Sequence, residues 1–469
     1  MQIVLFEDQR VEQLAPLAAA EPVFAVTCGG YKLAQLVGNL GPECTLVRKH
    51  LAAVEAESFP QRMPPQTPLA GPVLFVNARL VPSISIFGRL KALAAAGNEC
   101  VISSGGSIAA ALVNRDSVDL RGCVGNPAAV DQLIQSFNLP ERAVDLPLLE
   151  YPHDVLRHHL AYCREDLEYR IKSGPPQSYP TAGGQAAAPH PGYREVRDGV
   201  FVAENVTLGE YLVTDTKNGP IVIDHEATVG PFCFLRGPVY IGPCAKVNEH
   251  ASLKDCVSLG HHTKVGGEVE ASIIEPYSNK QHHGFLGHSY VGSWVNLGAG
   301  TSNSDLKNTY GAVSMEYRSG DRSGRDAAAR KVFTGLQFLG CFIGDYAKTA
   351  INTSIFTGKT IGACSMVYGF VTTNVPAFAN YARSFGPAAT GTSGDVRSTG
   401  FGIPHKSADP RGAAAGQITD LPAEVMISIQ KRMFARRKVT QRQCDIQLIR
   451  DLHQMARQHE RLPSEPLTF

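Results

Sequence analysis

The chain has 469 residues, with 44 Lys and Arg against 43 Asp and Glu, so its net charge of +1 gives no global attraction to nucleic acid or an anionic membrane. Forty-five Gly and 30 Pro favour turn-rich β structure over a mainly helical protein, and the length allows two or three domains. No apolar run is long enough to span a bilayer, Met1 to Arg10 lacks the plan of a signal peptide, and the eleven Cys include no zinc-spaced cluster, so a cytoplasmic protein is expected.

From residue 1 to 150 short apolar runs alternate with helix-like stretches, the rhythm of a small α/β domain. Ile3 to Phe6, Val73 to Val76 and Cys100 to Ile102 read as buried strands; Leu33 to Val37 and Ile108 to Val113 read as helices. Residues 151–192 connect: Asp154 to Lys172 is an amphipathic helix, and Ser173 to Gly192 is a Pro/Gly/Ala linker.

Residues 193–382 carry the most specific signal. Every sixth residue is aliphatic from Ile223 through Val229, Leu235, Ile241, Val247, Leu253 and Leu259 to Val265. A small or β-branched residue follows each by four, from Ala227 and Cys233 to Thr263 and Val269. The period resumes at Phe285, Val291 and Leu297, then from Ile343 to Val367. A six-residue repeat means a parallel β-helix in which each hexad supplies one face of a triangular coil and the aliphatic side chain points inward. Its flat faces suit a closed oligomer, a homotrimer being expected. Two excursions leave the repeat, one around Glu275 to Gly284 and one from about Asp305 to Phe342. Residues 383–469 form a Gly-rich loop and a helical tail, Pro422 to Leu462, with nine Lys or Arg against four Asp or Glu.

The stretch Ser278 to Asn308 resembles the left-handed β-helix acyltransferases, most closely the bifunctional N-acetylglucosamine-1-phosphate uridyltransferase/glucosamine-1-phosphate acetyltransferase family. The matching residues are His282 three before Phe285-Leu286-Gly287, and Asn296-Leu297-Gly298-Ala299-Gly300-Thr301 one turn later. The opening IVLFEDQRVEQLAPL, NARLVPS at Asn77 to Ser83 and Thr334 to Gly362 resemble a divergent bacterial branch of the same family. The resemblance implies a nucleotidyltransferase-like, Rossmann-like α/β domain, a left-handed β-helix and acetyl-CoA as acyl donor.

Acyl transfer to an amine needs a proton acceptor and a stabilised oxyanion. His suits the first task, with an unperturbed pKa of about 6.5. The resemblance assigns it to His282. Backbone N–H groups around Gly298 to Gly300 can approach a thioester closely because Gly has no Cβ. Lys280, Asn296, Ala299 and Asp305 are expected at the acceptor. Gly298, Gly300, Thr301, Lys307, Arg318 and Arg322 are expected at coenzyme A. The family commonly has Asn-Tyr where this chain has Asp305-Leu306, and Tyr in place of Phe285, so the acceptor's identity stays open. A zinc site on His261, His262 and His282 is a weaker alternative, since the GH-aliphatic-HGC stretch of trimeric β-helix carbonic anhydrases is missing; no metal is assigned there.

The first domain lacks the Gly-rich triphosphate loop after its first strand. Asp8, Arg10, Asn77 and Arg79 mark the nucleotidyltransferase-like site, with Mg²⁺ expected if it is active. Ser103 to Ser107 reads as a Gly-rich turn opening a helix, a candidate anion seat. The resulting expectation is acyl (acetyl) transfer from acyl-CoA to an amino-sugar phosphate or nucleotide amino sugar. Two alternatives stay open: a sugar-1-phosphate nucleotidyltransferase whose β-helix only assembles the oligomer, and a non-catalytic sugar-nucleotide binding scaffold.

Overall fold

The computed structural model describes residues 1–65, 68–174, 192–318, 329–383, 416–459 and 462. The N-terminal part is a five-stranded sheet in the order Glu43–Leu46, Gln2–Phe6, Leu69–Asn77, Ser107–Val118, Cys100–Ser104; Ser107–Val118 alone runs antiparallel to the other four. Ile108 to Val113, expected as a helix, is therefore strand. Its run of Ile, Ala, Leu and Val is buried on both faces, where periodicity cannot separate a core strand from a core helix. Gly105 and Gly106, at φ of 57° and 77°, make the hairpin turn into that strand, so no helix N-terminus offers an anion seat there.

From Arg194 the chain winds as a parallel β-solenoid with three faces. The first is a nine-stranded sheet from Arg194–Arg197 to Lys359–Ile361. The second stacks Thr207–Leu208, Thr228–Val229, Lys246–Val247, Lys264–Val265 and Asn279–Lys280. The third stacks Val213–Asp215, Phe234–Arg236, Ser252–Lys254, Glu268–Glu270 and Phe285–Gly287. The hexad aliphatics fill one core, each 1% exposed or less from Ile223 to Val265. Two registers differ from the sequence reading. Leu286, not Phe285, points inward, and Asn279–Lys280 stays in the second face, so the first excursion shrinks to residues 281–284. The second excursion is an antiparallel hairpin, Ser314–Arg318 with Ala329–Phe333, and Cys341–Ile343 already rejoins the first face.

The N-terminal domain covers the first face through the helix Pro152–Ser173. Pro at its first position and Asp154, which accepts from the Tyr151 N–H at 2.9 Å, start this helix. His159 Nε2 donates to Cys256 O at 2.6 Å, and Asp166 accepts from the Gly30 and Ile84 N–H groups. Arg170 lies between the rings of Tyr31 and Tyr240, 4.6 and 4.5 Å from their centres. Beside this helix Glu275 accepts from Thr27 N (2.7 Å), Thr27 Oγ1 (3.0 Å) and Tyr290 OH (3.1 Å) and pairs with Lys32 at 3.2 Å. The hairpin docks here too, with Tyr317 OH 2.7 Å from His153 Nδ1 and its ring stacked on Tyr151.

The tail forms two helices, Ala423–Arg436 and Gln443–His459. The first lies on the corner between the first and second faces. That corner carries a ladder of left-handed residues, His262, Tyr277 and Trp294, stacked face to face, and Phe434 packs on Trp294 at 4.4 Å. Among the described residues no helix is long and apolar enough to cross a membrane.

Candidate active site on the solenoid

His282 stands exposed at the corner between the second and third faces, two residues past the strand Asn279–Lys280. Its loop is pinned from below and above. Lys280, 3% exposed, donates its Nζ to Gly266 O at 2.8 Å and His282 O at 3.1 Å, and burial pushes its ammonium down to about 8. Lys280 is thus a support for the loop, with its donors turned inward rather than toward an acceptor phosphate. From the next coil the Gly300 N–H donates to His283 O at 3.1 Å.

The turn Gly298–Gly300 therefore faces the His282 loop. Gly300 has a φ of 75°, and a Cβ there would collide with the Asn352 side chain; one at Gly298 would meet Ala350 backbone carbon at 2.5 Å. Gly298 N–H is taken by Thr349 O and Oγ1. Of the three N–H groups, that of Ala299 has no acceptor among the described residues, which makes it the available oxyanion donor. Thr301, 3% exposed, bonds Thr349 Oγ1 at 2.7 Å and faces inward, away from a ligand.

Asn296 is exposed on the second face, and its amide orientation is set by a relay. Arg437 Nη2 donates to Asn279 Oδ1 at 2.6 Å, and Asn279 Nδ2 to Asn296 Oδ1 at 3.3 Å. The Asn296 Nδ2 donor is left facing outward.

Asp305 is engaged elsewhere. It accepts from His288 Nδ1 at 2.8 Å at the corner between the third and first faces, with Phe338 stacked on the imidazole at 5.3 Å. Lys307 follows on that side, one face away from His282. Arg318 ends the docked hairpin strand, its side chain outside the described residues, and Arg322 lies outside them altogether. Asp305 and Lys307 are thus not brought to the His282 corner, whereas Asn296, Gly298, Ala299 and Gly300 are. His261 and His262 pack around Tyr277, and among the described residues no His, Cys, Asp or Glu group is placed to hold a metal ion.

In the N-terminal domain Asp8, Asn77 and Arg79 do meet, but as a closed set. Arg79 is fully buried; its Nε and Nη2 donate to Asp8 at 2.8 and 2.6 Å, its Nη1 to Leu149 O and Glu150, and its Nη2 also to Ser107 Oγ. Asp8 accepts further from Asn77 Nδ2 at 2.9 Å and the Arg10 N–H at 3.1 Å. Both carboxylate oxygens are saturated by donors, one of them a cation. Mg²⁺ does not fit this arrangement.

Sequence comparisons bear on both halves. Residues 3–173 match the family model described as sugar nucleotidyl transferase. The chain is 28% identical over 152 residues to a bifunctional sugar-1-phosphate nucleotidylyltransferase/acetyltransferase of Sulfurisphaera tokodaii, covering 32% of this chain and 35% of that protein. It is 34% identical over 104 residues to the bifunctional protein GlmU of Cupriavidus pinatubonensis, covering 22% of each chain. The chain thus spans about a third or less of the length of these relatives. The Francisella novicida UDP-N-acetylglucosamine acyltransferase structure aligns with a TM-score of 0.29 and 13% identity over 40% of this chain and 64% of that one. By sequence, residues 3–173 match the sugar nucleotidyl transferases, and the chain is similar, at modest identity and over part of its length, to bifunctional nucleotidyltransferase/acetyltransferases.

Proposed function

We propose that the solenoid transfers an acyl group from a coenzyme A thioester, acetyl-CoA in the first instance, to the amine of an amino-sugar phosphate or nucleotide amino sugar. The observation that carries this reading is the His282 loop held by Lys280 and Gly300 against a turn whose Ala299 N–H is unpaired. The amine nitrogen attacks the thioester carbon while His282 accepts its proton; the Ala299 N–H meets the oxygen as it becomes anionic; the thiolate leaves and takes the proton from the imidazolium. The similarity to bifunctional nucleotidyltransferase/acetyltransferases supports the substrate class.

On this reading the α/β N-terminal domain acts as a wall for the first face, since Asp8 is neutralised by Arg79. We place the enzyme in the cytoplasm as a homotrimer, with eleven free cysteines supporting a reducing compartment.

The test is thiol release from acetyl-CoA with a panel of amino-sugar phosphates. His282→Ala is expected to lower turnover by roughly 10²- to 10⁴-fold. Wild-type protein that releases no thiol with any acceptor refutes the reading. The pairing of His288 with Asp305 favours one rival base: loss in His288→Ala with full turnover in His282→Ala moves the role to His288.

A further inference from the structure

The three faces of the solenoid differ in how their charges are satisfied. On the third face the cations are paired: Arg236 Nε reaches Asp255 at 2.9 Å, and Lys254 Nζ reaches Glu268 at 2.6 Å and Glu270 at 3.0 Å. The first face lies under the N-terminal domain. The second is different. Its outward row, set by strand register, runs Thr228, Lys246, Lys264, Asn279, and continues by bridges through Asn296 to Lys348.

Lys246 and Lys264 are thus directly opposite on neighbouring strands, ~4.8 Å apart, where like charges destabilise a sheet. Arg436 and Arg437, at the end of the tail helix, add two cations above the same row. Among the described residues Lys246, Lys264, Lys348 and Arg436 have no carboxylate within ion-pair distance. Lys264 is held below the usual lysine range by burial and by the fields of Arg437, Lys246 and Arg436. A helix C-terminus accounts for Arg436 and Arg437, whose charge complements the helix dipole. It does not account for two lysines facing each other across a strand pair, on the face whose edge carries His282. Nor does it account for the Arg437-to-Asn279-to-Asn296 relay, which leaves an amide donor pointing outward in the same row.

We propose that this row is a binding floor for the pyrophosphate of a nucleotide-bearing substrate, with Lys246, Lys264 and Arg437 meeting the phosphates and Asn296 donating to the group beyond them. The row runs along the solenoid axis and passes through Asn279, three residues before His282 in the same coil, so a ligand lying on it runs beside the His282 corner. The inference deepens the acyl-transfer reading by placing one of its substrates. Coenzyme A and a nucleoside-diphosphate sugar share the pyrophosphate chemistry.

The test is calorimetric titration of the full-length protein with coenzyme A, UDP-N-acetylglucosamine and inorganic pyrophosphate separately. Lys246→Gln/Lys264→Gln is compared with wild type and with Lys254→Gln, a paired lysine of the third face. Two charged hydrogen bonds lost to phosphate are expected to weaken Kd by about 10²-fold or more. The affinity of Lys254→Gln stays at the wild-type value. Because the double substitution also removes a like-charge pair, the melting temperature of the unliganded variant is expected to hold or rise, which a purely structural role for these lysines would not produce. A loss confined to coenzyme A makes the floor the donor site, and one confined to UDP-N-acetylglucosamine makes it the acceptor site. Equal affinity in wild type and double variant overturns the proposal, as does a wild-type protein that binds none of the three. Lower affinity accompanied by an altered sedimentation mass also overturns it, assigning the lysines to a subunit contact. Binding is read without turnover: a floor that binds in a protein releasing no thiol leaves this inference standing and removes the acyl-transfer reading.

Discussion

Replacing Arg170 by Met is expected to loosen the N-terminal domain from the solenoid. The guanidinium joins three parts of the chain: it donates to Gly30 O and Tyr240 OH, lies between the rings of Tyr31 and Tyr240, and stands 3.9 Å from Asp224. Arg170 and Asp224 are each 2% exposed. Met retains most of the volume, so the loss is electrostatic rather than a cavity. Removing one partner of a buried ion pair costs about 3–5 kcal/mol, because the other charge is left in the interior. Asp224 keeps Tyr240 OH at 2.8 Å, Tyr193 OH at 3.1 Å and His225 Nδ1 at 3.0 Å, which places the expected cost toward ~3 kcal/mol. In a chain of several parts the right observable is local opening. Hydrogen exchange of the helix Pro152–Ser173 and the strands Ile221–Ile223 and Val239–Ile241 is expected to speed up by about 10²-fold, with strands at the far end of the solenoid unchanged. A double-mutant cycle with Asp224→Asn isolates the pair, and a coupling of ~0.5–3 kcal/mol is expected for residues sharing one network. Strict additivity, or exchange that accelerates uniformly along the chain, would show that the contact does not hold the domains together.

Acid acts on the same helix, which carries His153 and His159, and on the N-terminal domain around His50. Burial, as the largest cause in each case, pushes His50, His153 and His159 down to about 4 and His261 to about 3. The unfolded chain then binds more protons than the folded one between about pH 6.5 and 4, so stability falls as pH drops through that window. Each gap from 6.5 to about 4 is worth ~3 kcal/mol. Asp166 and Asp131, raised by burial to about 7 and about 6, and Asp345, Glu21, Glu43 and Glu55, also raised by burial, work in the opposite sense over part of the same range, so the histidine contribution is read as a difference between variant and wild type. His159→Gln is expected to lose less stability than wild type between pH 7 and 4.5, and an identical pH dependence of the two melting temperatures would contradict this. In the N-terminal site, Asp8→Asn is expected to destabilise by ~3 kcal/mol, the low end for a broken buried pair because Arg79 keeps Glu150 at 3.1 Å, and addition of Mg²⁺ should leave the wild-type melting temperature unchanged. A rise with Mg²⁺ that disappears in Asp8→Asn would mean that Arg79 can leave and the carboxylate bind metal.

The solenoid was legible because a period of six fixes which side chain enters the core: Ile223 to Val265 are all buried as the spacing required. Where the period broke, the reading slipped by one residue, as at Phe285 and Leu286, because a four-residue loop resets the phase and only coil stacking restores it. Ile108 to Val113 was misjudged for a different reason, since a run apolar on both faces carries no period at all. The His282 loop, Asn296 and the Gly298–Gly300 turn were found from local spacing. The inward Lys280 and Thr301, and the Asp305 to His288 pair, depend on the neighbouring coil, 14 or more residues away, which no local motif encodes. Lys246 and Lys264 were readable in principle, each standing one residue before an inward aliphatic, but their meaning depends on knowing that among the described residues no carboxylate comes within ion-pair distance of them.

That dependence extends to the whole assembly. A triangular prism offers three equivalent surfaces, and the sequence repeat treats them alike. What distinguishes them is what lies on top. The N-terminal domain occupies the first face with Glu275, Asp224 and Tyr240 as its contacts, and this accounts for charged residues in strand rows that would otherwise be solvated. The tail helix closes the corner between the first and second faces through Phe434 on Trp294. The corner between the second and third is left with Tyr211 and Phe232 stacked and exposed in line with the His282 loop. Among the described residues, Lys246, Lys264 and Lys348 stand without an ion pair in one row of the face that borders both the tail and His282. A fold stabilised mainly by its inner aliphatics can tolerate such an arrangement, because opposed lysines on a two-residue strand cost about 1 kcal/mol or less against a core shared by every coil. A ligand lying along that row can neutralise it, while the domain whose Asp8 is closed off by Arg79 covers the first face.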